Sequence, residues 1–257
     1  MIFLFTDFGA ADIYVGQVKA VLAAQAPKVP VIDLLHEAPP FNVKAGAHIL
    51  AALSTQIPQD SVTLAVVDPG VGGPREAVAV LADGRWFVGP DNGLLSVTAA
   101  RAVAVEVHAI GWKPERLSAS FHGRDLFAPV AAHLAAGAPF ASAGDPFDPS
   151  ELVQLHMPLA RTEGDQIVAH ALAFDRFGNV ALDVEHAELT AAGLRLGSQV
   201  LANGHPARYA TTFADVPAGG LLLYQDAYRT LALAVNRGSA AQVLGLRLDD
   251  EVHITPV

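Results

Sequence analysis

Apolar runs of strand length alternate with helix-period stretches along the first half of the chain. Strands are predicted at Ile2 to Thr6, Val31 to Leu35 and Val62 to Val67, with helices between them near Ile13 to Ala24 and Val43 to Leu53. This βαβαβ rhythm is that of a parallel, doubly wound sheet. Further strands are expected at Ala77 to Leu81, Trp86 to Val88 and Ala102 to Val107, followed by a helix from about Leu126 to Ala136 that Gly137 stops. Pro146, Pro149 and Pro158, with the polar run Arg161 to Gln166, mark a shift in composition. We read this as a boundary between domains 1–158 and 159–257. Beyond it come seven short runs: Ile167 to Ala173, Val180 to Val184, Gln199 to Ala202, Arg208 to Thr212, Gly220 to Tyr224, Leu231 to Val235 and Val252 to Thr255. Such spacing suits a small antiparallel barrel or sandwich. The expected fold is therefore α/β, a Rossmann-like N-terminal domain followed by a small antiparallel β-barrel.

Composition narrows the chemistry. No cysteine is present, which removes disulfides, thiolate catalysis and cysteine-ligated metal centres together. A net charge of -10, with only 16 Lys and Arg, argues against a nucleic-acid partner. No apolar run reaches the ~18 residues of a membrane span, and the chain enters a strand at once without a basic leader segment. The expectation is a cytoplasmic protein with no membrane partner.

The last residues of the predicted N-terminal strands carry the polar chemistry. Val66 to Arg75 (VVDPGVGGPR) joins a buried strand to Asp68, a glycine-rich turn and Arg75. A carboxylate at a strand's C-terminal end lies where open α/β sheets bind ligands, and the glycines let the backbone turn sharply. A structural turn closed by a surface ion pair is the plain alternative. Asp7, Asp33 with His36, and Asp91 with Asn92 also fall at strand ends, so they converge on the same rim. Asp7 is placed to accept hydrogen bonds from a ribose diol, but the glycine fingerprint for pyrophosphate is missing, which favours a nucleoside without phosphates. Equally, Asp7 could cap the following helix, and Asp12 could be a first-turn residue favoured by the helix dipole.

His122, in Phe121-His122-Gly123-Arg124-Asp125, stands at a loop-to-helix junction; a cleft residue and a structural histidine are even readings there. Phe174 to Asn179 combines Asp175, Phe177 and Asn179 at a turn suited to holding a base and an ammonium group, or simply to being a β-turn. Asn236-Arg237-Gly238 reads first as a turn and second as backbone edges offered to a purine.

Taken in order, Thr6 to Gly9, Asp12 to Gly16, VVDPGVGGPR, PDNGLL (Pro90 to Leu95), FHGRDLFAP (Phe121 to Pro129), FDRFGNV (Phe174 to Val180), Thr212 to Asp215 and AVNRGSAA (Ala234 to Ala241) resemble the S-adenosylmethionine hydroxide adenosyltransferases, relatives of the bacterial fluorinases and chlorinases. The resemblance implies cleavage of S-adenosylmethionine by water to adenosine and methionine, with no metal or other cofactor. It also implies a homotrimer with sites at subunit interfaces. The family's catalytic triad falls on Asp68, Arg75 and His122; the halogenating relatives carry other residue types at the first and third positions. By the same comparison Asp7 is similar to the ribose acceptor, Phe41 to a wall residue, and Phe177, Asn179 and Phe213 to adenine contacts. Asn236 and Arg237 would read the purine edge, and Asp12 and Asp175 would lie at the methionine end. One departure stands out: Asp226-Ala227-Tyr228-Arg229 replaces a Ser-containing turn, leaving Tyr228 or Arg229 to hold the methionine carboxylate.

Two other functions compete. A metal-dependent nucleoside or phosphoester hydrolase would use Asp7, Asp33, His36, Asp68 and His122 as ligands, although no His-x-x-x-His or Asp-x-His spacing occurs among them. A sensor that binds adenosine or S-adenosylmethionine without turnover would need no chemistry at all.

Overall fold

The computed structural model describes residues 1–155, 159–184, 186–227 and 230–257. Pro158, Tyr228 and Arg229 lie outside the described residues. The chain divides into two compact units, Met1–Leu155 and His156–Val257.

The first unit runs β1 (Ile2–Thr6), α1 (Ile13–Gln25), β2 (Val31–Leu35), α2 (Val43–Ser54), β3 (Val62–Val66), β4 (Ala77–Ala82), β5 (Arg85–Pro90), α3 (Ser96–Arg101), β6 (Val105–Ala109), α4 (Ala128–Ala135) and β7 (Asp145–Phe147). Its sheet has the order β2-β1-β3-β5-β4-β6-β7. Strand alternation splits the core into two layers. Ile2, Leu4, Val62, Leu64 and Val66 pack with Val18 and Leu22 of α1 and with α4. On the other face Phe3, Phe5, Ala65 and Val67 pack with Leu50 of α2 and the apolar residues ahead of α3.

Only half of this sheet is parallel: the parallel rhythm expected of the first three strands does not extend across all of it. β1–β2, β1–β3 and β3–β5 are parallel, whereas β4 pairs antiparallel with both β5 and β6, and β6 does so with β7. The cause is local. Asp83 and Gly84 both have positive φ, 47° and 77°, the two-residue turn that joins antiparallel strands with the correct twist. The predicted helix at Leu126 begins instead with a π-helical turn, Gly123–Phe127, which passes directly into α4 with Pro129 in its first turn.

The second unit comprises β8 (Arg161–Glu163), β9 (Gln166–Phe174), β10 (Val180–Leu182), α5 (His186–Ala191), β11 (Gln199–Ala202), β12 (His205–Tyr209), β13 (Leu221–Gln225), β14 (Leu231–Val235), α6 (Ala240–Leu244) and β15 (Glu251–Pro256). Seven strands, β10-β14-β13-β12-β11-β15-β9, close into a barrel through the β9–β10 pairing. Closure leaves these strands no free edge, and Ile167, Val200, Leu223, Leu233, Val252 and Ile254 fill the interior. One pairing, β12–β13, is parallel, because the chain between them crosses back through a short 3-10 turn at Phe213–Asp215 instead of a hairpin. Among the described residues no helix is long and apolar enough to cross a membrane.

Two glycines give opposite expectations for stability. A Cβ on Gly89 would lie 2.2 Å from the Ala65 carbonyl oxygen, so β3 and β5 meet where only hydrogen fits. Gly16, inside α1, has nothing within 4 Å. Gly89→Ala should therefore cost about 2 kcal/mol or more, and Gly16→Ala should stabilise by about 0.5–1 kcal/mol. Urea denaturation of the two variants checks both; equal midpoints would contradict the close approach at Gly89.

Candidate active site

Beyond β3 the chain continues as Val67-Asp68 into the glycine-rich loop. The Asn92 side chain fixes this point: its Nδ2 donates to the Val67 carbonyl at 2.9 Å, while its Oδ1 accepts the Leu94 N–H at 3.1 Å. The loop folds back on itself through Val71 N–H to Asp68 O and Gly73 N–H to Gly70 O. Gly72, at φ 78°, leaves no room for a side chain, since a Cβ would stand 2.3 Å from the Ala119 carbonyl. The result returns Arg75 to Asp68.

Arg75 is the hub. Its Nε lies 3.1 Å from both carboxylate oxygens of Asp68, and its Nη2 makes a short contact to Asp68 Oδ2. The same Nη2 lies 3.1 Å from Nδ1 of His122, 47 residues further along the chain. The guanidinium also covers the Phe127 ring, 5.2 Å from its centre. The side chains of Arg75 and Asp68 are 11% and 4% exposed, and His122 is buried. These values dispose of the surface ion-pair reading. Because arginine only donates, His122 Nδ1 must present its lone pair, and the ring is neutral with its proton on Nε2. Burial, then the Arg75 charge, lowers the His122 pKa, against smaller opposing effects of Asp68 and Asp125.

The turn around His122 is held from outside. Arg124 pairs with Asp125, reaches Gln17 of α1 at 2.8 Å and lies over the Phe121 ring; Asp125 in turn accepts the Ser118 N–H. These two charged residues are therefore structural. Phe8, Tyr14 and Phe121 form a ring cluster with centroid separations of 5.3–6.0 Å. Phe8 lies against Gly123, where a Cβ would meet its ring at 2.9 Å.

Asp7 does not cap the following helix. That position belongs to Asp12, which is exposed and makes no side-chain cap bond. The Asp7 carboxylate instead accepts the Phe41 N–H at 3.1 Å. Phe41 has φ 62° and a largely exposed ring. Asp33 and His36 are engaged with Lys19 and Thr6. Among the described residues no three His or carboxylate groups come together to hold a metal, so the five ligands of the metal-hydrolase reading do not form a set.

In the second unit the Asp175 turn is closed by its own carboxylate. Oδ1 accepts from the Phe177 and Asn179 N–H groups at 2.8 and 2.9 Å, and Oδ2 accepts from Asn179 Nδ2 at 2.7 Å. Gly178 packs against Ser239, and its carbonyl accepts the Ala241 N–H, which brings this turn beside Asn236-Arg237-Gly238. Asn236 is heavily used: its N–H donates to Gly220, its carbonyl accepts from Gly219, and its Nδ2 donates to Val216 O at 2.8 Å. The Asn236 backbone is thus held firmly in the turn, with Arg237 beside it at φ 60°. Tyr224, which sequence reasoning missed, lies 5.2 Å from Phe213 ring to ring. Burial, with Asp226 and Asp175 adding to it, pushes its pKa up to about 12, so the phenol keeps its proton. Its place on β13 gave no sign of this. The Tyr228 and Arg229 candidates for the methionine carboxylate lie outside the described residues.

Comparison with known proteins agrees over both units. The chain matches the family models of the SAM hydroxide adenosyltransferase N-terminal domain over residues 2–144 and C-terminal domain over residues 169–253. It is 46% identical to an (R)-S-adenosyl-L-methionine hydrolase of Salinispora arenicola, covering 97% of this chain and 95% of that protein. Identity is 41% to the one from Thermus thermophilus, with 96% of each covered, and 29% to a fluorinase of Actinopolyspora mzabensis, with 97% and 95% covered. The crystal structure of an uncharacterized conserved protein from Thermotoga maritima superposes with a TM-score of 0.93 at 35% identity, covering 99% of this chain and 100% of that one. The chain belongs to the SAM hydroxide adenosyltransferase family.

Proposed function

We propose that this protein hydrolyses S-adenosyl-L-methionine to adenosine and L-methionine, by attack of water on the 5′ carbon. The observation that carries the reading is Arg75 joining Asp68 and His122 in one buried cluster. The bond from water oxygen to the 5′ carbon forms as the carbon–sulfur bond breaks, and the bonding electron pair leaves with sulfur as a neutral thioether. No acid is needed for the leaving group. The site's task is to position water and take its proton.

The roles divide by hydrogen-bonding capacity. His122 is not the base, because its only lone pair faces Arg75 and its other nitrogen carries hydrogen. It is a donor that orients the water through Nε2–H. Asp68 is the one group of the three with further acceptor capacity, so the proton passes to it as the bond forms. Arg75 holds both partners in place and, in a water-poor setting, counters the charge that develops on the oxygen. Asp7 takes the ribose diol, Phe41 supplies a wall, and Phe177, Asn179, Phe213 and Arg237 receive the adenine; Asp12 and Asp175 lie at the methionine end. Cation–π attraction from the exposed Phe41 ring would favour the sulfonium. No metal or other cofactor takes part. The chain acts in the cytoplasm as a homotrimer with sites at subunit interfaces, as the family resemblance implies.

Incubation of the purified protein with S-adenosylmethionine, followed by chromatography, should yield adenosine and methionine in equal amounts, with the same rate in EDTA. Intact substrate, or activity abolished by EDTA and restored by a divalent cation, would overturn the reading. Asp68→Ala, Arg75→Ala and His122→Ala should each lower kcat by about 100-fold or more, while calorimetry still detects substrate binding. Wild-type rates in these variants would remove the triad. The His122 ring should titrate below the ordinary imidazole value of ~6.5, remaining neutral as pH falls through that range; an NMR titration midpoint at or above it would contradict the assigned tautomer.

A further inference from the structure

A second buried histidine, His36, takes no part in the reaction as proposed. It stands in a chain of hydrogen bonds that runs from the surface to the first strand. Lys19 Nζ donates to Asp33 Oδ2 at 2.7 Å, and Asp33 Oδ1 lies 3.0 Å from His36 Nε2. His36 Nδ1 lies 2.9 Å from the Thr6 hydroxyl, whose oxygen accepts the Phe8 N–H at 3.3 Å.

For a neutral His36, donor and acceptor roles along this chain have one consistent solution. Burial alone would raise the Asp33 pKa, but hydrogen bonds from Lys19 and His36 outweigh it and hold the group ionised, so it only accepts. His36 therefore carries hydrogen on Nε2, and the neutral ring presents a lone pair at Nδ1. Thr6 gives its hydroxyl hydrogen to that lone pair and keeps its oxygen free to accept from Phe8. Backbone bonds run alongside: Gly9 N–H donates to the His36 carbonyl at 2.7 Å, and Ala38 N–H to the Thr6 carbonyl at 3.1 Å. Residues 6, 8 and 9 are thereby tied to residues 36 and 38.

Asp7 lies between these ties. Its remaining freedom is rotation of the carboxylate, which the Phe41 N–H restrains. Phe41 holds a left-handed backbone conformation that costs a non-glycine residue about 1 kcal/mol or more, and such positions persist where the surroundings fix them. One end of the 36–41 segment thus ties the residues on either side of Asp7, and the other end bonds its carboxylate.

We infer that His36, acting through Thr6, is a positioning residue that orients Asp7 toward the ribose diol of the substrate. The inference rests on Asp7 being the diol acceptor. Asp33 and Lys19, at the exposed end, set the tautomer of His36. An exposed ion pair contributes little to stability by itself, so this pair's value lies in what it fixes further in.

The test compares S-adenosylmethionine with its 2′-deoxy analogue in the full-length protein. Wild type should favour the ribose substrate in kcat/KM, and Asp7→Asn should abolish the preference. Thr6→Val removes the hydroxyl at nearly constant shape and should reduce that preference about tenfold, mainly through KM, with activity on the deoxy analogue little changed. Thr6→Ser should restore it. Asp33→Asn, at a half-exposed position that should not impair folding, is expected to move the preference in the same direction by less. If wild type shows no preference for the diol, the Asp7 reading falls and this inference with it. If wild type and Asp7→Asn behave as expected but Thr6→Val and Asp33→Asn keep the full preference, or slow both substrates equally, His36 is only structural and the inference alone is overturned.

Discussion

A guanidinium can only donate hydrogen bonds, and this single constraint organises the first unit. Arg75 faces a carboxylate and an imidazole within one buried space, so both must offer it lone pairs. The protonation states of the cluster follow without further assumption. A buried cation of this kind is tolerable only with its partners in place, since removal of one leaves a charge uncompensated at a cost of several kcal/mol. The surrounding fold meets that requirement from three directions. Strand β3 delivers Asp68, the turn at Gly72 returns Arg75, and the π-helical turn after His122 sets Phe127 beneath the guanidinium.

The support around the cluster is itself built from groups that satisfy one another. Asn92 ties the end of β3 to the residues after β5, and the Arg124–Asp125 pair ties the His122 turn to α1. Neither arrangement contributes chemistry. Each shortens the list of conformations that Asp68 and His122 can adopt, which is how a site of the proposed kind would gain rate from geometry. The second unit follows a different principle: Asp175 uses both carboxylate oxygens to brace its own turn with neutral donors, which fixes the position of its charge without cancelling it.

Much of this was legible in the residues, and the exceptions have physical causes. Runs such as Ile2 to Phe5 and Leu231 to Val235 are short, wholly apolar and well bounded, so local pattern decides their structure. The half-antiparallel sheet was equally written in the chain, at Asp83-Gly84, but an Asp-Gly pair between apolar runs was overshadowed by the preceding βαβαβ rhythm. Asp68, Arg75 and His122 each stood at an expected boundary, yet no spacing rule joins residues 47 positions apart; resemblance to a family supplied the grouping. The engagement of the Asn236 backbone and the link from Tyr224 to Phe213 depend on which strands neighbour each other in the barrel. Local pattern carries no trace of that.

Charge balance bears on the choice of nucleophile. With His122 neutral, the formal charges of Asp68 and Arg75 cancel, and the cluster as a whole presents no net positive charge to an incoming group. A halide would have to shed its hydration in a buried space beside an ionised carboxylate, with the one cation already paired at hydrogen-bond distance. Water meets no such penalty. In the proposed mechanism it finds an acceptor in Asp68 and a donor in His122, so the same pairing that disfavours an anion would orient a neutral molecule. By the same reasoning, replacing the acid while keeping the guanidinium would break this balance. The resemblance places the residue-type differences between the two activities at the acid and the imidazole; the electrostatics of this cluster supply a reason for the first, and the donor role proposed for His122 a reason for the second.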